Sequence, residues 1–418
     1  MNNTERFLYN MASLRQFRIV FNKSSATYEP GEVVSGKIIV HPTKEKYVKG
    51  LYFVANGSAL VHWLENDALD DLRSHSFAST EDYFNFKHDI LGTAECPAGH
   101  KIPYGHNEYT FSFRLPRDIP CSFEHDTGYV RYTMKVVLER SSNFDHECKA
   151  AFSVVSRLDL NLYRERCFAI HDETNKNFNC LCWIGQGSIS LQIMVPCSGY
   201  VPGQIITTTL HYTSTPNIPI RKLSTKLLRI AHFRTSTNTM IHRKVLQKTR
   251  HSPPFPPHGR IPSEILVPPI APSNLQYCSI IDLEYELVVT VHVSGPYSKM
   301  KRHYPILIGT VPLYRPALAL LHSMVPCSTP FMAQPAIMPM PLSIAGQSSA
   351  SDIPLQDRVS TSTIHLDIPP PSYEVGLFET PSIRDTHESE FILGVNTPFS
   401  PKYPVYNYPA PRLPNERL

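Results

Sequence analysis

Five consecutive residues near the C-terminal end, Pro369-Pro370-Pro371-Ser372-Tyr373, have the types and spacing to do chemistry, and that chemistry is recognition. Adjacent prolines pre-form a polyproline II helix, so little entropy is lost when they dock into an aromatic-lined groove. In a Pro-Pro-x-Tyr string, the tyrosine two residues past the second proline lies on the face that fills the adjacent pocket of a WW domain. Pro370, Pro371 and Tyr373 are therefore the candidate WW-binding residues. Tyr403-Pro404-Val405-Tyr406 is a degenerate second copy in which Tyr403 replaces the first proline. Losing that proline weakens docking, which makes Pro404 and Tyr406 a secondary contact. Pro312-Leu313-Tyr314 shares only the Pro-x-Tyr spacing and falls in an expected strand, where a structural role is the simpler reading.

No arrangement for catalysis survives the same inspection. Gly185-x-Gly187 lacks the third glycine and the strand–helix setting of a dinucleotide loop. Cys180-x-Cys182 is one residue short of a C-x-x-C pair and has no second pair, so a zinc site is not expected. Close histidine pairs such as His100 with His106 and His251 with His258 lack HExxH spacing. The chain is expected to have no catalytic residue, metal or cofactor. Its nine cysteines, an odd number without framework spacing, fit a reducing compartment. Met1 to Arg6 open no apolar stretch of signal-peptide length. Residues 316–351 carry no charge, but six prolines break them, so no membrane-spanning helix is expected there. A soluble, cytoplasmic protein is the expectation.

Something must hold the motif out. The 418 residues suggest two or three domains, and their 38 prolines are unevenly spread. Residues 1–315 hold 21 of them and residues 316–418 hold 17, which suggests a folded body with a proline-rich tail. Charge divides at the same place: the body is net +8 and the tail net −4. An overall +4, with no basic run interleaved with aromatics, excludes a nucleic-acid binder as the leading class. The body's excess leaves room for an anionic membrane face or a phosphorylated partner.

The body repeats itself. Tyr28-Glu29-Pro30-Gly31-Glu32-Val33-Val34 recurs as Tyr200-Val201-Pro202-Gly203-Gln204-Ile205-Ile206, an offset of 172. The same offset pairs Ile19 with Leu191, Phe21 with Ile193, Lys49 with Arg221 and Leu51 with Leu223. A period this long means two copies of a domain. Each copy reads as strands: Val130, Tyr132, Met134, Val136 and Leu138 share one face, opposite Arg131, Thr133 and Lys135. Ile281, Leu283, Tyr285, Leu287, Val289, Val291 and Val293 do the same, opposite Asp282, Glu284 and Glu286. In both copies Pro-Gly supplies the centre of a type II turn. Two β-sandwiches follow, with a polar connector near Arg164-Glu165-Arg166 and His171-Asp172-Glu173.

These residues resemble a family. Tyr28-x-Pro30-Gly31-Glu32-x-Val34-x-Gly36 resembles the opening hairpin of the arrestin N-domain. Leu115-Pro116, Pro120-x-Ser122-Phe123-Glu124 and Gly128-x-Val130-Arg131-Tyr132 are similar to a signature of the α-arrestins, the arrestin domain-containing proteins. Asp159-Leu160-Asn161 resembles the end of that domain. Cys182-Trp183, Gly187-Ser188-Ile189 and Gly199-Tyr200-x-Pro202-Gly203 resemble the start of the C-domain, and Pro305 to Leu313 its closing strand.

The resemblance implies an all-β chain of two tandem immunoglobulin-like arrestin sandwiches followed by a disordered proline-rich tail. The expected boundaries are 14–168 for the N-domain, 169–180 for a connector, 181–315 for the C-domain and 316–418 for the tail. It also implies a non-enzymatic adaptor that recruits WW-domain HECT-type ubiquitin ligases to the cytoplasmic parts of membrane receptors or transporters. Localisation would be cytoplasmic, with peripheral recruitment to plasma membrane and endosomes. The alternative is a signalling or trafficking scaffold of the β-arrestin or retromer-subunit type, acting without a ligase. Some α-arrestins bind thioredoxin through a C-domain cysteine. Here no cysteine lies between Thr207 and Tyr277, and thioredoxin is not an expected partner.

Overall fold

Both copies of the repeat begin on the same turn, held the same way. The computed structural model describes residues 13–67, 70–92, 99–140, 145–178, 187–294, 299–314, 370–385 and 387–407. Gly31 and Gly203 have φ of +82° and +91°, a region glycine reaches without a Cβ clash. The fourth turn residue donates its N–H to the first residue's carbonyl, Glu32 to Glu29 and Gln204 to Val201, both at 3.1 Å. Its side chain also reaches back: Glu32 Oε2 accepts from the Glu29 N–H, and Gln204 Oε1 from the Val201 N–H, each at 3.0 Å. Glu and Gln interchange at this position because the turn needs only an acceptor.

The N-terminal sandwich contains β1 (Leu14–Phe21), β2 (Thr27–Tyr28), β3 (Val33–Pro42), β4 (Lys46–Val48), β5 (Gly50–Asp67), β6 (Asp70–Leu91), β7 (His100–Ile102), β8 (Asn107–Arg114), β9 (Gly128–Glu139) and β10 (His146–Val154). One sheet runs β1-β3-β8 and the other β2-β10-β9-β5-β6, while β4 and β7 form a short ladder of their own. Aromatic rings join the two sheets, with Phe21 5.7 Å from Phe152 and Phe53 5.8 Å from Phe111. A 3-10 segment, Leu160–Arg166, capped by the Asp159 side chain, leads out of this domain.

The C-terminal sandwich follows with β11 (Ile170–Phe178), β12 (Gly187–Val195), β13 (Gly199–Tyr200), β14 (Ile205–Ser214), β15 (Ile220–Arg234), β16 (Thr239–His251), β17 (His258–Leu266), β18 (Ile281–Val293) and β19 (Met300–Ile308). Its sheets run β11-β12-β14-β17 and β13-β19-β18-β15-β16. The offset of 172 carries β2 onto β13 and β3 onto β14 residue for residue. Each two-residue strand pairs in parallel with the last strand of its sandwich, Tyr28 opposite Val154 and Tyr200 opposite Ile308.

The duplication reaches further than the sequence match. Ser122 Oγ accepts from the Val154 N–H at 2.8 Å, and Ser273 Oγ from the Ile308 N–H at 2.9 Å. The buried Tyr132 hydroxyl donates to the Pro120 carbonyl and the Tyr285 hydroxyl to the Ala271 carbonyl, both at 2.7 Å. The offset at this tyrosine is 153, because the N-domain is longer both in β5 and β6, with 18 and 22 residues against 15 and 13 in β15 and β16, and in the stretch carrying β7 that leads to β8. The expected pair of β-sandwiches is the architecture observed.

Two places hold more structure than their residues suggest. The connector proposed over 169–180 holds β11, paired antiparallel to β12 from Ile170 opposite Val195 to Phe178 opposite Gly187. Its residues Ile-His-Asp-Glu-Thr-Asn-Lys-Asn-Phe are mostly polar because an edge strand with one wet face needs few apolar side chains. The expected apolar side chains of β9 are buried, yet so are Arg131 and Thr133 on the opposite face. The tail lies over that face, with Asp385 and Glu388 on Lys149 and Ile383, Ile392 and Val395 against Ala151. The domains are also stitched at their ends, where the Asn161 amide donates to the Pro312 carbonyl at 2.9 Å and the Leu160 N–H to the Val311 carbonyl at 3.2 Å.

Candidate functional site

The described tail residues are folded onto the body, where an extended unfolded segment was expected. Two further strands, β20 (Ser372–Val375) and β21 (Lys402–Val405), pair antiparallel. Tyr373 stands opposite Pro404, Ser372 opposite Val405 and Glu374 opposite Tyr403. The Pro-Pro-x-Tyr motif and its degenerate copy are thus partners in one hairpin. Pro369 lies outside the described residues, as do Cys180, Cys182 and Gly185.

The two strands differ in exposure. β20 is exposed along its length, with Pro370 exposed, Pro371 half-buried and Tyr373 39% exposed. Burial, then Glu29 and Glu32 of the first turn, hold the Tyr373 phenol above its ordinary pKa, which places the ring beside that turn. In β21 and just beyond it, Tyr403, Pro404, Val405 and Tyr406 are buried. The Tyr403 hydroxyl donates to the Ser122 carbonyl of the N-domain at 3.0 Å. The Tyr406 hydroxyl donates to the Thr310 carbonyl at 2.8 Å, and its N–H to the Pro202 carbonyl at 3.0 Å, both at the C-domain end. The degenerate motif therefore straps the two sandwiches together, and Pro404 and Tyr406 are not offered to a partner while it does so. A Cβ at Gly203 would stand 2.3 Å from the Tyr406 carbonyl oxygen.

Between the two strands the chain covers the N-domain sheet. The Leu393 N–H donates to the Glu147 carbonyl and the Lys149 N–H to the Leu393 carbonyl, both at 2.9 Å, so Leu393 extends the sheet past β10. Ile383, Ile392 and Val395 form a buried knot against Ala151 and Phe399. The Lys149 ammonium, its side chain only 2% exposed, meets Asp385 at 2.7 Å and Glu388 at 3.0 Å. Here the tail's negative charge finds the body's positive charge. Phe378 presents its ring to the Lys244 ammonium at 3.8 Å and the Arg229 guanidinium at 4.2 Å. Arg229 is itself buried and also faces Phe123 across the domain junction at 5.1 Å.

The Ser122-Phe123-Glu124 signature can now be read physically. Arg131 donates from Nε and Nη2 to the two Glu124 carboxylate oxygens, each at 2.7 Å, and stacks on Tyr129 at 3.9 Å. Ser122 holds the end of β10, and Phe123 packs toward Phe233 of the C-domain. The signature braces the junction on which β21 lies. Sequence reading missed Phe378, Asp385, Glu388 and Leu393. The available signals were the tail's acidic excess and the apolar residues scattered among those acids.

Two histidines in the N-domain give the body a pH dependence. His125 is pushed down to about 4 by burial, then by Arg229, His242 and Lys244, with Asp126 opposing. Burial, then Arg140 and Lys46, push His146 down to about 4. Both are neutral when folded and titrate near 6.5 when unfolded. Their contribution is therefore complete above about pH 6.5 and is lost as pH falls toward 4. The melting temperature is expected to decline through that window, and a paired His125→Gln and His146→Gln variant to show a shallower decline. A flat profile in the parent chain would count against buried neutral imidazoles.

Among the described residues no three metal-ligating side chains come together, and no helix is long and apolar enough to cross a membrane. Burial raises the Cys121 thiol to about 12 and also raises Cys148 and Cys278, so these are not activated nucleophiles.

Residues 17–161 match the family Arrestin (or S-antigen), N-terminal domain, and residues 185–313 match Arrestin (or S-antigen), C-terminal domain. The chain is 26% identical over 334 residues to "Arrestin domain-containing protein 17" of Caenorhabditis elegans, covering 72% of each chain. It is 26% identical over 315 residues to "Arrestin domain-containing protein 4" of Mus musculus, again covering 72% of each. "Thioredoxin-interacting protein" of Mus musculus is 24% identical over 387 residues, 90% of this chain and 89% of that one. With both domains matched in order over most of the chain, and the same two sandwiches built on the same turn, the chain belongs to the α-arrestin family of arrestin domain-containing proteins.

Proposed function

We propose that the chain is a non-enzymatic adaptor whose Pro370, Pro371 and Tyr373 hold a WW domain of a HECT-type ubiquitin ligase. Its sandwiches engage the cytoplasmic part of a membrane receptor or transporter. Ubiquitin transfer is the ligase's chemistry; the adaptor raises the ligase's effective concentration near cargo lysines and so promotes endocytosis and endosomal transport. The protein would work in the cytoplasm and be recruited to plasma membrane and endosomes. The observation that carries this reading is the placement of the motif on the exposed outer strand of the tail hairpin. A WW groove takes the motif as polyproline II, so docking exchanges the ladder between Tyr373 and Pro404 for groove contacts. Thioredoxin stays outside the proposal, although relatives from mouse and human carry its name, because Cys278 is part-buried with a raised thiol pKa.

The test is a pull-down of the full chain with an isolated WW domain from a HECT ligase. Tyr373→Ala is expected to reduce capture at least ~10-fold, since the tyrosine supplies the anchoring ring. Equal capture of parent and variant would remove the ligase from the reading and leave a ligase-independent scaffold.

A further inference from the structure

The tail fills one of two equivalent seats, and the other is open. The sheets β2-β10-β9-β5-β6 and β13-β19-β18-β15-β16 are counterparts, so β9 corresponds to β18 and β10 to β19. The offset of 153 that carries Tyr132 to Tyr285 also carries Arg131 to Glu284 and Thr133 to Glu286. In antiparallel ladders, directly paired residues share a face. Thr133 stands opposite Ala151 and Lys135 opposite Lys149. Glu286 stands opposite Pro305 and Val288 opposite His303. Pro305 and His303 are therefore the counterparts of Ala151 and Lys149.

In the N-domain the tail covers this outward face, and Arg131, Thr133 and Lys149 are buried beneath it. In the C-domain the same face is uncovered. The Glu284 and Glu286 side chains are 56% and 28% exposed, and Pro305 is exposed. With Leu307, Ile170 and Phe168 they line a cleft of about 470 Å³. Phe168, in the short link between the 3-10 segment and β11, is 64% exposed. The apolar side chains for a seat are thus present, as they are around Ala151.

Charge tells the two seats apart. The N-domain face presents Arg131 and Lys149 and receives an apolar segment carrying Asp385 and Glu388. The C-domain face presents Glu284 and Glu286 instead. Among the described residues neither carboxylate pairs with a lysine or arginine, Arg166 in the cleft included. Their partners are imidazoles, His232 at 3.7 Å from Glu284 and His303 at 2.8 Å from Glu286, which carry charge only when protonated. The acidic tail of this chain, or of a second copy, is therefore the wrong occupant. We propose that the cleft takes a segment in which apolar residues accompany lysine or arginine, supplied by the cytoplasmic juxtamembrane part of the cargo. Lysine and arginine are in excess there, within about 15–20 residues of a membrane span. Glu284 and Glu286 receive the cations, and Pro305, Leu307 and Phe168 the apolar side chains. The inference rests on the reading of the sandwiches as the cargo-engaging part and does not involve the ligase motif.

The experiment is an anisotropy titration of the full chain with a short labelled peptide of leucines and arginines, and with the same peptide carrying glutamine for arginine. The arginine peptide is expected to bind more tightly, and its advantage to shrink as salt is raised. The paired variant Glu284→Gln with Glu286→Gln should bind the arginine peptide about 10-fold more weakly and the glutamine peptide unchanged. Phe168→Ala should weaken both peptides. An unchanged thermal melt and unchanged WW-domain capture in each variant separate the cleft from the fold and from the motif. Equal affinity of parent and paired variant for the arginine peptide overturns the proposal, as does absence of binding by the parent. Proximity labelling in cells tests the cargo itself, and the paired variant is expected to lose labelling of membrane proteins several-fold. Equal labelling by both chains overturns the role of the cleft and leaves the adaptor reading standing. Labelling of no membrane protein by either chain overturns both.

Discussion

Glu124→Ala is expected to lower the stability of the N-terminal sandwich by about 3–5 kcal/mol, the loss seen when one partner of a buried ion pair is removed. Glu124 and Arg131 are 3% and 6% exposed, and the guanidinium spends two of its donors on the carboxylate. Without Glu124 the charge stays buried, stacked on Tyr129 beneath the tail, with no acceptor in its place. Urea denaturation of the full chain reads the loss directly. The paired replacement Glu124→Met with Arg131→Met should recover much of it, because an apolar pair carries no stranded charge. A single-variant cost under 1 kcal/mol would mean that water reaches the pair.

The other large effect concerns the hairpin, and its sign is the opposite of a simple loss. Tyr403→Ala removes a fully enclosed aromatic ring, a change that typically costs about 3–5 kcal/mol. The cost here is capped by the tail's own docking energy, since the segment can detach while both sandwiches remain folded. Detachment frees Tyr373 from Pro404, so WW-domain affinity is expected to rise at least ~10-fold if the docked state holds nine-tenths or more of the population. Hydrogen exchange over 372–375 and 402–405 should accelerate in parallel. The two matched turns supply a control. Gly31→Ala and Gly203→Ala impose the same φ strain, but the new methyl meets the Arg117 side chain at 3.2 Å in one and the Tyr406 carbonyl at 2.3 Å in the other. Only Gly203→Ala should raise WW affinity. Unchanged affinity in both Tyr403→Ala and Gly203→Ala would mean that the hairpin does not restrain the motif.

The sequence made the sandwiches legible because their information is local. Pro30-Gly31 and Pro202-Gly203 require a left-handed glycine, and β9 and β18 alternate in steps of two. It hid β11, whose polar side chains suit an edge strand as well as a linker. It hid the tail for a different reason. Ile383, Ile392 and Val395 pack against the nearby Phe399 but also against Ala151, more than two hundred residues away, and no local pattern encodes that second meeting. The same distance explains Arg131 and Thr133, polar residues that become covered only when the tail arrives. Tyr403 shows how a motif can be read too narrowly. As a missing proline it is a defect; as a ring enclosed between the sandwiches, bonded to Ser122, it is the reason β21 stays in place.

Leu393 has a bearing on colloidal behaviour. Beyond its short pairing with β2, β10 is an edge strand, and a bare edge with open N–H and C=O groups is a template for self-association. Leu393 occupies two of those groups, at Glu147 and Lys149. The segment that carries the Pro-Pro-x-Tyr motif therefore also covers part of an edge that other copies of the chain could pair with. Any partner that lifts the tail, and any truncation that removes it, opens the Glu147 carbonyl and the Lys149 N–H on that edge again.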